Sequence, residues 1–180
     1  MWGLTKKAIN STVGTEMKTL DVISRENASQ ILYEMLRVAS ESGAIDGVLI
    51  VPKDPEMPYA FVQNNENIKN IIFSPETKTT SFEGIYACGE IKHLYMPHIE
   101  HIVGTSLVQN ANLTSITLGR ALKRIDRFAL EYNDKLTHIY YEGTMEEWNA
   151  IIKGSYWDNE TNLTKIVCVD GTIDHIPSKQ

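Results

Sequence analysis

Along the middle of the chain a phrase of the form apolar-x-x-apolar-x-apolar returns at nearly constant intervals. It reads Ile68-Ile71-Phe73, Ile91-Leu94-Met96, Leu113-Ile116-Leu118 and Leu136-Ile139-Tyr141. The step from one phrase to the next barely varies, and one more step of the same length back reaches Ile45-Val48-Ile50. Other columns keep the same rhythm. Three positions before each phrase stand Ser42, Asn65, Cys88, Asn110 and Asn133, small or amide side chains able to serve turn backbone from inside a coil. Six before it stand the apolar Ala39, Val62, Ile85, Leu107 and Leu130, and just after it come Pro52, Pro75, Pro97 and Gly119. Self-similarity at a period in the twenties predicts stacked coils, each burying its apolar face against its neighbours.

The fold class that follows is a leucine-rich-repeat β-solenoid of about five coils. Each coil contributes one short strand, and successive strands pair in parallel because every coil returns in the same direction. The first and later apolar positions of each phrase point inward. Leu113-x-x-Ile116-x-Leu118 with Phe128-Ala129 and Asn133, helped by Phe73-x-Pro75, Met96-Pro97 and Cys88, resembles the BspA-like leucine-rich repeats over about residues 45–141. The sequence departs from that pattern at Gly119 and in most of the Ala-Phe pairs. Tyr140-Tyr141-Glu142-Gly143-Thr144 with Glu147, Trp148 and Trp157 looks like the tail that ends such repeats in bacterial surface and bacteriophage proteins.

Outside the repeats the pattern changes. Residues 1–23 show no sustained period and read as an arm, with Trp2, Leu4, Ile9 and Val13 as the groups that would anchor it to a partner. Residues 24–43 have the period of a helix. Ala28, Ile31, Leu32, Met35, Leu36, Val38 and Ala39 share one face, Ser24 is placed as N-cap, and Gly43 ends the element. This helix is expected to cover the open end of the solenoid at residues 44–141; the alternative is that its apolar face pairs with other subunits. Residues 142–180 read as a second cap. Thr144 with Glu147 forms a capping box that opens a helix to about Lys153, and Lys165 to Val169 followed by Asp170-Gly171 predicts a hairpin.

Composition narrows the function. A chain of 180 residues, 42% hydrophobic, holds one solenoid with its two caps. A net charge of -6 argues against a nucleic-acid surface. The amino terminus lacks the apolar run of a secretory leader and no stretch is long enough to span a bilayer, so assembly into a particle released by lysis is the expected route out of a cell. Two cysteines make no disulfide framework, and both read as buried thiols.

Chemistry is thinly represented. His93, His98 and His101 with Glu100 lack the ligand set and spacing of a common metal site, so no metal and no cofactor is expected. No nucleophile elbow, phosphate loop or dinucleotide fingerprint occurs, which points away from an enzyme. Strand alternation instead sets Leu49, Ile72, Tyr95, Thr117 and Tyr140 on the outward side of the ladder, bordered by polar columns. The expected contact site is therefore His93, Tyr95, Thr117, His138 and Tyr140. The favoured function is a non-enzymatic binding or structural module: a bacteriophage virion protein, whether head fibre, tail fibre or decoration subunit, held by its arm and assembling as a homo-oligomer. A BspA-like bacterial surface adhesion module and a cytosolic interaction scaffold are the alternatives. The partner is another virion protein, or a protein or glycan of a host surface.

Overall fold

A short coil closes on itself only if the backbone turns sharply several times, and the corners decide what lies between them. The computed structural model describes residues 25–42 and 46–178, which form a β-solenoid of about five turns with parallel strands and few helices. Helix α1 (Arg25–Glu41) precedes the coils. Then come β1 (Val48–Ile50), β2 (Val62–Gln63), β3 (Asn70–Ile72), β4 (Ile85–Tyr86), β5 (His93–Met96), β6 (His101–Ile102) and β7 (Leu107–Val108). The chain continues through β8 (Ser115–Leu118), β9 (Arg124–Ile125), β10 (His138–Tyr141), helix α2 (Met145–Ala150), β11 (Ile152–Lys153), β12 (Lys165–Cys168) and β13 (Gly171–Asp174).

The coils carry three ladders, not the one strand per coil that the repeat predicts. The front face holds the pair β1–β3 and the sheet β5–β8–β10–β12, closed by the antiparallel β13. A second face stacks β2, β4 and β7, and a third stacks β6, β9 and β11 behind single bridges from Glu56 to Thr79 to His101. Left-handed residues explain the short second-face strands. Ala60 and Asn64 flank β2, Glu83 and Ala87 flank β4, and Thr105 and Gln109 flank β7, all at φ between 47° and 58°. Phe128 with Tyr132 and Tyr156 with Glu160 repeat the arrangement in the later coils. Only Asn64 among these is a residue type that favours such a conformation, so the corners left almost no mark in the sequence.

Inside, the repeat is laid out as its period requires. Ile91, Leu94, Met96, Leu113, Ile116, Leu118, Leu136 and Ile139 are fully buried in one continuous core. The amide column lies beside them. The Asn110 side chain accepts from Cys88 N and donates to Ile85 O; that of Asn133 accepts from Asn110 N and donates to Leu107 O and Leu130 O, all within 2.7–3.1 Å. Cys88 holds the same column, its thiol 3.7 Å from Val62 O, and burial raises that thiol's pKa. Ser42 does not join them: it is exposed at the end of α1 and bonds to Ala39 O.

Three boundaries differ from the sequence reading. In coil 1 the register is slipped by one: Leu49 pairs with Ile71 and Ile50 with Ile72, so Leu49 and the fully buried Val51 take the inward columns expected of Val48 and Ile50. Such a slip exchanges the faces of a strand, and Ile50 replaces Leu49 in the outward column. Second, α2 stops at Ala150 rather than Lys153. Ile152 N and Gly154 N donate to Lys123 O and Ile125 O at 3.0 and 2.8 Å, so the neighbouring coil draws this segment into its ladder. Third, the stacking continues past Tyr141, because β12 pairs in parallel with β10 and brings in a sixth phrase, Leu163-Ile166-Cys168, buried like the others. This phrase starts later than the regular step from Leu136 would place it, and α2 occupies the added length.

The helices pack in distinct ways. Tyr33, absent from the expected apolar face of α1, turns inward, and its hydroxyl donates to Val51 O at 2.9 Å; Leu32, Met35 and Val38 are more than half exposed. Glu34 binds Lys53 of coil 1 and Arg37 of its own helix. Thr144 and Glu147 form the capping box of α2, which inserts Trp148 among Tyr141 and Trp157 in edge contacts of 5.4 and 6.2 Å. No helix among the described residues is long and apolar enough to cross a membrane.

Two outcomes follow from the buried polar groups. Asn133→Ala leaves two carbonyls and one N–H of the interior without their partner and should cost about 3 kcal/mol or more in a denaturant melt; a loss below about 1 kcal/mol would show that the amide column is dispensable. Asp158, fully buried, accepts from Ser178 N and pairs with His175 at 2.6 Å. Burial works to raise its pKa, but the bonds from His175 and Ser178 win and hold it below the usual carboxylate value. Such a depressed acid stabilises the fold fully above its unfolded pKa of about 4, and the contribution is lost as pH falls through the folded value. His175→Ala should therefore cost about 2–4 kcal/mol at pH 7 and progressively less toward pH 3, and an equal loss at both pH values would sink the assignment.

Candidate partner-binding face

Period-two alternation turns every second residue of β5, β8, β10 and β12 away from the core, and parallel in-register pairing lines those residues up across coils. Two outward rows result. One runs His93, Ser115, His138, Lys165 and, on β13, Asp174; the other runs Tyr95, Thr117, Tyr140, Val167 and Thr172. All five residues expected at the contact site thus stand on one sheet face. Trp2, Leu4, Ile9 and Val13, the expected anchors, lie outside the described residues.

The face is held together by polar contacts between coils. His93 lies between two hydroxyls of the next coil, with Nδ1 2.7 Å from Ser115 Oγ and Nε2 3.1 Å from Thr117 Oγ1. A neutral imidazole offers one donor and one acceptor, and hydroxyls can complement either nitrogen. Burial pushes the His93 pKa below the ordinary histidine value, with the backbone of Ser115 acting in the other direction. His138 stacks on Tyr140 at 6.0 Å and its Nδ1 lies 2.9 Å from Thr137 Oγ1. Tyr95 donates to Glu142 Oε1 at 3.3 Å, across two coils. Tyr95 and Tyr140 nonetheless keep 50% and 42% of their surface exposed, so their rings are available to a partner while their positions are fixed.

Toward coil 1 the face changes character. Leu32 and Leu36 of α1 stand over Ile72, Phe73, Tyr95 and Pro97 around an apolar groove of about 90 Å³. Sequence reasoning did not find Glu142 or the extension of the rows to Lys165 and Val167. The alternation in β12 was legible, but its parallel partner was hidden by the longer last coil.

The arrangement displays aromatic rings, imidazoles and hydroxyls on one open sheet face. A histidine between two hydroxyls resembles half of a nucleophile–base relay, but among the described residues no carboxylate orients His93, and an open sheet face does not exclude water. His101, with Asp126 at 2.9 Å, belongs to the third ladder. Among the described residues no group of three or more histidine, cysteine or acidic side chains could hold a metal ion. No family model, no curated protein and no solved structure matches the chain.

Titration by NMR checks the His93 environment. Its ring should titrate with a midpoint below about 6.5, because burial disfavours the charged form. A midpoint at or above that value would mean that His93 is solvated rather than wedged between the hydroxyls.

Proposed function

We propose that the chain is a non-enzymatic binding module of the BspA-like leucine-rich-repeat kind, serving in a bacteriophage particle as a head-fibre, tail-fibre or decoration subunit. The observation that carries the binding role is the pair of half-exposed tyrosines, Tyr95 and Tyr140, displayed on a parallel ladder whose positions are fixed by the core beneath. Rings held rigid before contact lose little entropy on binding, and tyrosine suits a surface that is half wet. The buried Cys88 supports the repeat assignment, because the resembling family places cysteine in that column, which Asn110 and Asn133 continue here. In this reading α1 shields the first coil, α2 with the β12–β13 hairpin shields the last, and residues 1–23 attach the module to its particle.

Replacing both tyrosines, Tyr95→Ser with Tyr140→Ser, should leave the thermal melt close to that of the parent and weaken self-association or particle binding by about 2 kcal/mol. Light scattering and co-sedimentation with purified particles read the two quantities. A double variant that folds and assembles like the parent places the working face elsewhere, and particles free of the chain by mass spectrometry refute the virion role.

A further inference from the structure

The front ladder is continuous at every junction but one. Lys69 N donates to Gly47 O, Thr114 N to Lys92 O, Thr137 N to Thr114 O and Thr164 N to Thr137 O, so the residue at the mouth of each strand is tied to the coil before it. Between coils 2 and 3 the corresponding bond from Lys92 N to Lys69 O is missing, and among the described residues no ladder joins β3 to β5. The same two coils stay zipped on the other faces, where β4 pairs with β2 and β7, and Thr79 bridges to His101. Pro97 withholds one bond at the far end of this junction. In coils 4 and 5 this position is Gly119 and Glu142, whose N–H groups donate to Met96 O and Leu118 O at 3.3 and 2.9 Å. A proline has no N–H to give, so the far end of the seam cannot close in the same way.

The open mouth of the seam borders a cavity of about 470 Å³ lined by Lys69, Asn70, Glu90, Lys92 and His93. Among the described residues neither Lys69 nor Lys92 is paired with a carboxylate, although the chain as a whole carries a charge of -6. Two lysines and an asparagine thus line one space against the single carboxylate-bearing residue Glu90, at the place where Lys92 N makes no ladder bond. That is a charge-complementary setting for an anion. The apolar groove beneath α1 lies at the other end of the same seam, about 16 Å along the strand. Beside the mouth run hydroxyls, Thr114, Ser115, Thr117 and Thr137, and the rings of Tyr95 and Tyr140. A hydroxyl-rich, ring-bearing surface with an anion subsite at one end fits a saccharide chain better than a hydrophobic protein contact.

We infer that the seam between coils 2 and 3 is the anion subsite of an acidic-glycan surface, with Lys69 and Lys92 holding a carboxylate of the glycan and Tyr95 and Tyr140 supporting its rings. This rests on the front face being the working face. The test is an NMR titration of the intact labelled chain with a short galacturonate oligomer, the matching neutral galactose oligomer, and a glutamate peptide of the same length. Galacturonate should shift the Lys92 and Asn70 amides and bind tightest, and Lys69→Ala with Lys92→Ala should weaken it about tenfold without altering the melt. Equal binding of the neutral oligomer, or no loss in the double variant, overturns the subsite. Tighter binding of the glutamate peptide overturns the glycan and assigns the cavity to an acidic protein segment. Loss of binding in the tyrosine double variant but not in the lysine variant would leave the face standing and remove the subsite alone.

Discussion

Backbone groups that point into a coil have no water to meet, and the structure depends on how they are satisfied. The amide column satisfies them at the corner before each front strand. Asn133 alone serves groups of Asn110, Leu107 and Leu130, and Asn110 repeats the arrangement one coil earlier on Cys88 and Ile85. These bonds fix the distance between coils from within, so the strands outside arrive in register. They also hold the left-handed corners. A side chain larger than glycine in that conformation costs on the order of 1 kcal/mol, and Phe128, Tyr132 and Tyr156 persist there because the bonds on both sides leave no alternative.

The last coil follows the same plan with polar residues in inward columns. Lys153 takes the position of Ile125, Asp158 that of Leu130, and Thr161 that of Asn133, as the ladder bonds from Leu130 and Gly154 show. Each is satisfied locally. Lys153 donates to Trp148 O and Ile151 O and lies 4.7 Å from the Trp148 ring, and burial lowers its pKa. Thr161 accepts from Leu163 N, and Asp158 is matched by the tail at His175 and Ser178. A terminal coil can carry such groups because no further coil demands an apolar surface from it.

The same rigidity shapes the front face. Outward side chains of a parallel ladder stand about 4.8 Å apart from coil to coil, so a row of different residues becomes a fixed array. Histidines and hydroxyls bond along that array while the tyrosine rings stay half exposed. Between β3 and β5 the array opens at a seam, with Pro97 at one end and a cavity lined by lysines at the other.

From the sequence alone came the solenoid, the parallel direction of the strands, the inward phrase, the amide column, and the grouping of His93, Tyr95, Thr117, His138 and Tyr140 on one side. All of these are set by periodicity, which survives in one dimension. Only the tertiary structure decided the rest. The two extra ladders depend on corner conformations that Ala60, Glu83 or Gln109 do not announce. The slipped register of coil 1 buries Val51 in place of Ile50, a choice between adjacent β-branched residues that the pattern leaves open. The end of α2 and the parallel docking of β12 depend on backbone donors finding a neighbouring coil, and the seam on donors of β5 that find none in β3. Such outcomes turn on which backbone group meets which across coils, and a hydrogen-bond partner a whole coil away along the chain leaves no local trace in the order of side chains.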